Sequence, residues 1–274
     1  MALFPNAMHL VAPGLFGTEA GGFHGPTLDD FFPAAVLFAG TPFEMNRIMI
    51  IRVIMVIVLL LLFWLGTRNL KVVPTRGQGV LEFALDFVRN NVIEAQLGVK
   101  EGRRFAPLLM SMFFVIFAFN VTGVVPGFNI AASSVVGFPI FMAIVAYVAF
   151  LYAGLRKHPG KFLKNSLFPA GVPKVMYLLV TPVEFLSTFI MRPVTLALRL
   201  LMNMLVGHMI LVLLFAATNF FVLDAGGFFP AVGAGTFVFG LAFTLFEVFV
   251  AGLQAYVFTL LTALYIQLAL ADEH

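Results

Sequence analysis

The chain has 274 residues, 61% of them hydrophobic and 11% charged, with a net charge of +3 and a mean hydropathy of +1.04. An average soluble domain is about 25% charged, so this composition excludes a surface solvated by water and makes lipid the solvent. The length suits one membrane domain of a few spans without a separate soluble domain, and the lack of cysteine removes disulfide and thiolate chemistry.

Residues 1–46 contain no Lys or Arg and therefore no secretory n-region. They are rich in Gly, Pro and Phe and carry Glu19, Asp29, Asp30 and Glu44. They read as a loosely structured head outside the cytoplasm, with a short interfacial stretch at Phe31–Phe38. Residues 47–274 read as a single transmembrane domain. Its first span lies near 48–66, with Arg47 and Arg52 placed to snorkel at one end. A second, near 105–125, is closed by Pro126 and Gly127. A third, near 138–155, is closed by Arg156, Lys157, His158 and Pro159.

Between the first two spans, 79–93 is amphipathic. Leu81, Ala84, Leu85, Val88 and Val92 share one face, and Glu82, Asp86, Arg89 and Asn90 another, as in an interfacial helix. The last two spans, near 176–219 and 230–269, sit in apolar runs far longer than the roughly 20 residues that cross a bilayer. Steep tilt or a broken helix is expected for both. The predicted fold is all-α: five transmembrane helices, one cytoplasmic interfacial helix, and two final spans that are long and strongly tilted.

Basic residues orient the chain. Segment 67–104 holds seven, from Arg68 to Arg104, and segment 156–174 holds five, Arg156, Lys157, Lys161, Lys164 and Lys174. The head and the loops 126–137 and 219–230 hold none. The head is therefore expected outside, the basic loops and the C-terminus in the cytoplasm, and the number of spans odd.

Ionisable groups at membrane depth are costly and mark candidate sites. Arg199 lies deep in an apolar helix, at a cost of roughly 3 kcal/mol on insertion scales, and a guanidinium does not escape by losing its proton. Glu184, Thr188, Arg192, Thr195, Arg199, Asn203 and Gly207 recur at three- and four-residue steps, as one helix stripe does. Gly240, Thr244, Glu247, Ala251, Gln254, Phe258, Thr262 and Tyr265 repeat that spacing on the last helix, less continuously polar. The simplest geometry turns both stripes toward each other or toward a common partner. His208 is about 13 Å beyond Arg199 along its helix, and Glu247 about 10 Å before Gln254 on a helix running the other way. If Gln254 is level with Arg199, His208 and Glu247 share a depth on the outer side, with Glu184 on the cytoplasmic side. Arg192, Tyr265 and Asn120 fit structural or interfacial roles more readily.

The run from Arg192 through Pro193, Thr195, Arg199 and Asn203 to His208 resembles the signature of subunit a of the F-type ATP synthase. Glu247, the Leu253–Phe258 run, Thr262 and Tyr265 resemble that family too, as do Pro182–Ser187 and the Ala106–Leu109 run with Asn120 and Pro126. The similarity covers about 46–270. Met202 stands where the family usually has Gly, and the loop after Pro126 lacks the usual acidic or Asn-rich insertion. The resemblance implies a stator: two half-channels deliver protons to and from a rotating ring of carboxylate-bearing c subunits, separated by Arg199. Proton translocation would then fall to Arg199, Glu247, His208, Asn203, Gln254 and Glu184. It also implies peripheral-stalk b subunits as partners, no cofactor, metal or nucleic acid, and no catalytic site of its own. The setting would be a bacterial plasma membrane rather than an organelle's. The residues alone leave two other readings: an ion-coupled secondary transporter, for which an internal repeat is missing, and an intramembrane enzyme using Glu247 and His208 as an acid–base pair.

Overall fold

The computed structural model describes residues 35–37, 45–68, 71, 75–125, 132–133, 135–157, 162, 176–224 and 229–271. Most of the head, much of the loops 126–137 and 158–174, and the last three residues lie outside them. Of the expected interfacial stretch, Ala35–Leu37 is described. It forms a strand, β1, antiparallel to β2 (Met45–Asn46).

The first helix, α1 (Arg47–Arg68), is a run of β-branched and leucine side chains with no charge between Arg52 and Arg68. Its 22 residues make about 33 Å, which matches the hydrocarbon core. Ile48 and Ile51 are its buried residues, and most of the rest of its apolar surface is exposed, as a lipid-facing helix requires.

The expected interfacial helix is longer than 79–93. It begins as α2 (Arg76–Val88) and continues through a widened π-helical turn, Arg89–Glu94, into the start of α3 (Ala95–Val121). It keeps its expected inner face, with Val88 and Val92 fully buried. Gln78 Nε2 donates to Lys71 O at 3.0 Å and to Glu82 Oε1 at 2.7 Å, and Arg89 pairs with Glu94 at 2.8 Å. The corner into the second span is Gly98, at φ 72° and ψ 170°, a conformation essentially restricted to glycine. The membrane helix therefore starts at Val99, six residues before the expected boundary. Its first turns carry Lys100, Glu101, Arg103 and Arg104, because charged groups at a helix end still reach the interface while the backbone bonds continue.

The third span is α4 (Gly137–Lys157). The fourth is one long helical run widened by a π-helical segment: α5 (Tyr177–Phe185), a wide turn at Leu186–Met191, then α6 (Arg192–Asn219). Within the turn the Arg192 amide bonds Ser187 O, five residues back. The cause is Pro193, which has no N–H to give and whose ring would meet the carbonyl of Phe189 in a regular helix. The last helix, α7 (Phe229–Leu270), is continuous over 42 residues. About 63 Å of helix fits a bilayer of roughly 40–45 Å only by lying obliquely. Among the described residues, five helices are long and apolar enough to cross a membrane, as expected.

Contacts group the chain into two units. In the first (Met1–Met55, Phe119–Ser134 and Asn203–Ala251) a polar latch holds the residues after α3. Asn120 Oδ1 accepts from Ser133 Oγ at 2.7 Å, Thr122 Oγ1 accepts from the Ala132 amide at 2.8 Å, and Arg52 Nε donates to Ala132 O at 2.7 Å. Arg52 thus serves this latch instead of snorkelling into open water. The second unit (Val56–Ala118, Val135–Met202 and Gly252–His274) has a core of Val92, Leu109, Ile116, Leu200, Phe258 and Ile266. Lys157 Nζ caps the last helix by donating to Leu270 O at 2.8 Å.

Candidate functional site

The two faces of α6 differ. Leu196, Leu200, Met204, His208 and Leu211 are buried, whereas Thr195, Leu198, Arg199, Met202, Asn203 and Val206 are exposed. Nine residues are two and a half turns, so Arg199 and His208 leave the helix on opposite sides. Arg199 is the one charged group on an outer face that also carries Thr195 and Asn203, and it forms no ion pair among the described residues, whose two ion pairs are Arg89–Glu94 and Arg104–Glu101. Asn203, four residues on, lies beside it on the same face.

His208, in the first unit, is 8% exposed and opens into a cavity of about 580 Å³. Leu211, Val212, Phe215, Thr218 and Asn219 line it at steps of three or four residues from His208, along about 17 Å of α6. Gly123 and Val124 after α3, and Leu241 and Thr244 of α7, complete its walls. The cavity is largely apolar, with its polar groups His208, Thr218, Asn219 and Thr244 spread along its length. The Thr218 and Thr236 hydroxyls meet at 2.9 Å and tie the two helices together beside it.

Glu247 of α7 is half-buried, with its carboxylate against Gly207. A Cβ at residue 207 would stand 2.8 Å from Glu247 Oε1, so only glycine leaves the carboxylate where it is. Glu247 Oε2 is buried and accepts no hydrogen bond among the described residues, which leaves it open to a proton. The neighbour Gly207 should therefore be functional rather than structural. In Gly207→Ala the flexible carboxylate swings aside, so assembly should persist while proton flux, followed by fluorescence quenching in vesicles, falls about tenfold. Unchanged flux would show that the carboxylate's seat is immaterial.

Every member of the α7 stripe, from Gly240 through Glu247 and Gln254 to Tyr265, is buried or half-buried; the residues between are mostly exposed up to Leu253, and from Gln254 to Ile266 every side of the helix is at least half-buried. That stripe turns into the protein, whereas the spacing predicts both stripes turned toward each other or toward a common partner. The Thr195–Arg199–Asn203 segment of the α6 stripe turns out of the protein. Thr262 Oγ1 donates to Phe258 O at 2.8 Å within α7, so its hydroxyl serves its own helix.

In the second unit the Arg192 guanidinium lies 5.2 Å from the Tyr265 ring centre and 5.8 Å from that of Phe150. Such cation–π seats stabilise packing, and the space beside them, about 10 Å³, holds at most one water. Glu184 is half-buried on α5, and Gln254 is 3% exposed. Sequence reasoning missed Thr218 and Asn219 as cavity residues. Their offsets of ten and eleven from His208 continue its helix face and were the available signal.

The family model described as ATP synthase A chain matches residues 48–267. The chain belongs to this family. Among its subunit a relatives, that of Rhodococcus erythropolis is 46% identical over 254 residues, covering 92% of each chain. That of Paenarthrobacter aurescens is 34% identical over 97% of this chain and 100% of its own, and that of Streptomyces lividans 34% over 84% and 81%. All three are bacterial proteins named ATP synthase subunit a. As a member of the subunit a family, the chain is part of the ATP synthase complex. The ion-coupled transporter reading finds no support in these relatives.

Proposed function

We propose that this subunit a carries protons to and from a rotating ring of c subunits along two half-paths, and that Arg199 keeps the two apart. The observation that carries the reading is the exposed Arg199 on the outer face of α6, without an ion pair among the described residues. A permanent charge so placed calls for a carboxylate from another chain.

A c-ring carboxyl crosses lipid cheaply only when protonated. Facing Arg199, it would release its proton and pair with the guanidinium. Protons would come in along the cavity that ends at His208, pass to Glu247, and be handed to the ring carboxylate. After rotation they would leave past Glu184. Asn203 and Gln254 would adjust the surroundings of Arg199. Arg192, Tyr265 and Asn120 are assigned structural roles, since their contacts above are already spent on packing and on the latch. The work drawn is about 2.3 kcal/mol per proton per 100 mV. Peripheral-stalk b subunits would hold the chain against the ring, and ATP would be made elsewhere in the complex. Purified from its native membrane under mild detergent, the chain should bring with it a ring of small carboxylate-bearing subunits and a nucleotide-hydrolysing sector. Isolation as a lone protein would refute the assignment.

The head would lie outside a bacterial plasma membrane, and the C-terminus of the single membrane domain 47–274 in the cytoplasm. With no native cysteine, a membrane-impermeant maleimide reads this directly. Thr18→Cys should be labelled in intact cells and Ala271→Cys only after lysis; the reverse pattern would invert the topology.

A further inference from the structure

We propose that the groove between α3 and α4 holds one anionic phospholipid, its phosphate bound by Arg104 and Arg156 and one acyl chain running along α4. The groove lies within the second unit, has a volume of about 550 Å³, and is lined by Phe105, Leu108, Ile144, Val145, Val148 and Tyr152 among others. Its walls are apolar except at the end where α3 begins and α4 ends. There Arg104 Nη2 donates to Tyr152 Oη at 3.0 Å, and Arg156 Nη1 donates to the same oxygen. Both guanidinium groups also sit over the Tyr152 ring, at 5.3 and 5.7 Å.

Two like charges thus converge on one neutral hydroxyl. The nearest carboxylate, Glu101, stands 3.9 Å from Arg104, and Arg156 has no ion pair among the described residues. The Arg104, Tyr152 and Arg156 side chains are exposed. An anion with several acceptor oxygens satisfies such a pair, and phosphate matches the guanidinium fork. Basic pockets between membrane helices select acidic headgroups for this reason.

The groove's extent favours a lipid over a partner helix. From Tyr152 to Ile144 it follows eight residues, about 12 Å, close to the roughly 15 Å depth of one leaflet. A transmembrane helix would need a track of about 30 Å.

The test is photocrosslinking of the purified ATP synthase complex in phosphatidylcholine nanodiscs. They are doped either with phosphatidylglycerol bearing a diazirine on its acyl chain or with phosphatidylcholine bearing the same group. Phosphatidylglycerol should label peptides containing Leu108 or Val148, and phosphatidylcholine should label them several-fold less. The double variant Arg104→Gln with Arg156→Gln should lower the phosphatidylglycerol signal on the order of tenfold. If that variant fails to assemble, Ile144→Trp, which fills the groove and keeps both charges, should lower the signal instead. Equal labelling by the two lipids, labelling that these variants leave intact, or crosslinks that join the groove to another subunit's helix would each overturn the proposal.

Discussion

Arg199→Ala should abolish ATP synthesis driven by a proton gradient, to below detection in inverted vesicles carrying the assembled complex. The variant removes the one fixed charge on the outer face of α6. Under the proposed function, the ring carboxylate would then have no cation to favour its ionised state, and protons would meet no barrier between the two half-paths. A leak defeats the motor, because each proton that slips across forfeits about 2.3 kcal/mol per 100 mV. Passive flux should persist or rise while synthesis stops, and this split separates a lost barrier from a misfolded subunit. The substitution is mild for the fold, since Arg199 is exposed and makes no ion pair among the described residues. Arg199→Lys should also fail, because an ammonium among apolar groups gives up its proton where a guanidinium does not. Coupled synthesis retained in Arg199→Ala would sink the stator assignment.

The second large effect belongs to the inlet. Glu247→Gln combined with His208→Ala removes every ionisable group that the structure places at or beside the inner end of the 580 Å³ cavity. Proton flux in vesicles should fall by about a hundredfold or more, in line with the loss of two proton-exchanging groups. Asn203→Ala should cost less than about tenfold, because an exposed amide beside Arg199 exchanges no proton. An Asn203 effect equal to or larger than that of the double variant would remove His208 and Glu247 from the path. Restoring only the glutamate should recover part of the flux. Its seat against Gly207 would remain, and the cavity would still admit water to it.

Much of this was legible in the chain. Composition and the spacing of apolar runs set the solvent, the helical class and the five crossings, since a hydrocarbon slab of fixed thickness leaves a membrane chain few alternatives. The amphipathic period of 81–92 marked the interfacial helix, and the Gly240–Gln254 spacing marked the face of α7 that turns inward. The arginine stripe was readable as a stripe, because period alone places residues on one side of a helix. Its direction was not. Period cannot say whether a face meets protein or lipid. Packing decided that Leu200 and His208 face inward while Arg199 faces out. The π-helical widening at Leu186–Met191 needed the local hydrogen-bond geometry around Pro193. The close approach of Glu247 to Gly207 needed the antiparallel packing of α6 and α7, whose residues are forty apart in sequence. The groove behind Arg104 and Arg156 arose in the same way, from two helices whose charged ends meet at Tyr152. The sequence by itself determined which residues are polar at depth and how they repeat. Tertiary structure alone decided which of them face the cavity, the core or the outside of the chain, because that depends on contacts between helices that no single helix encodes.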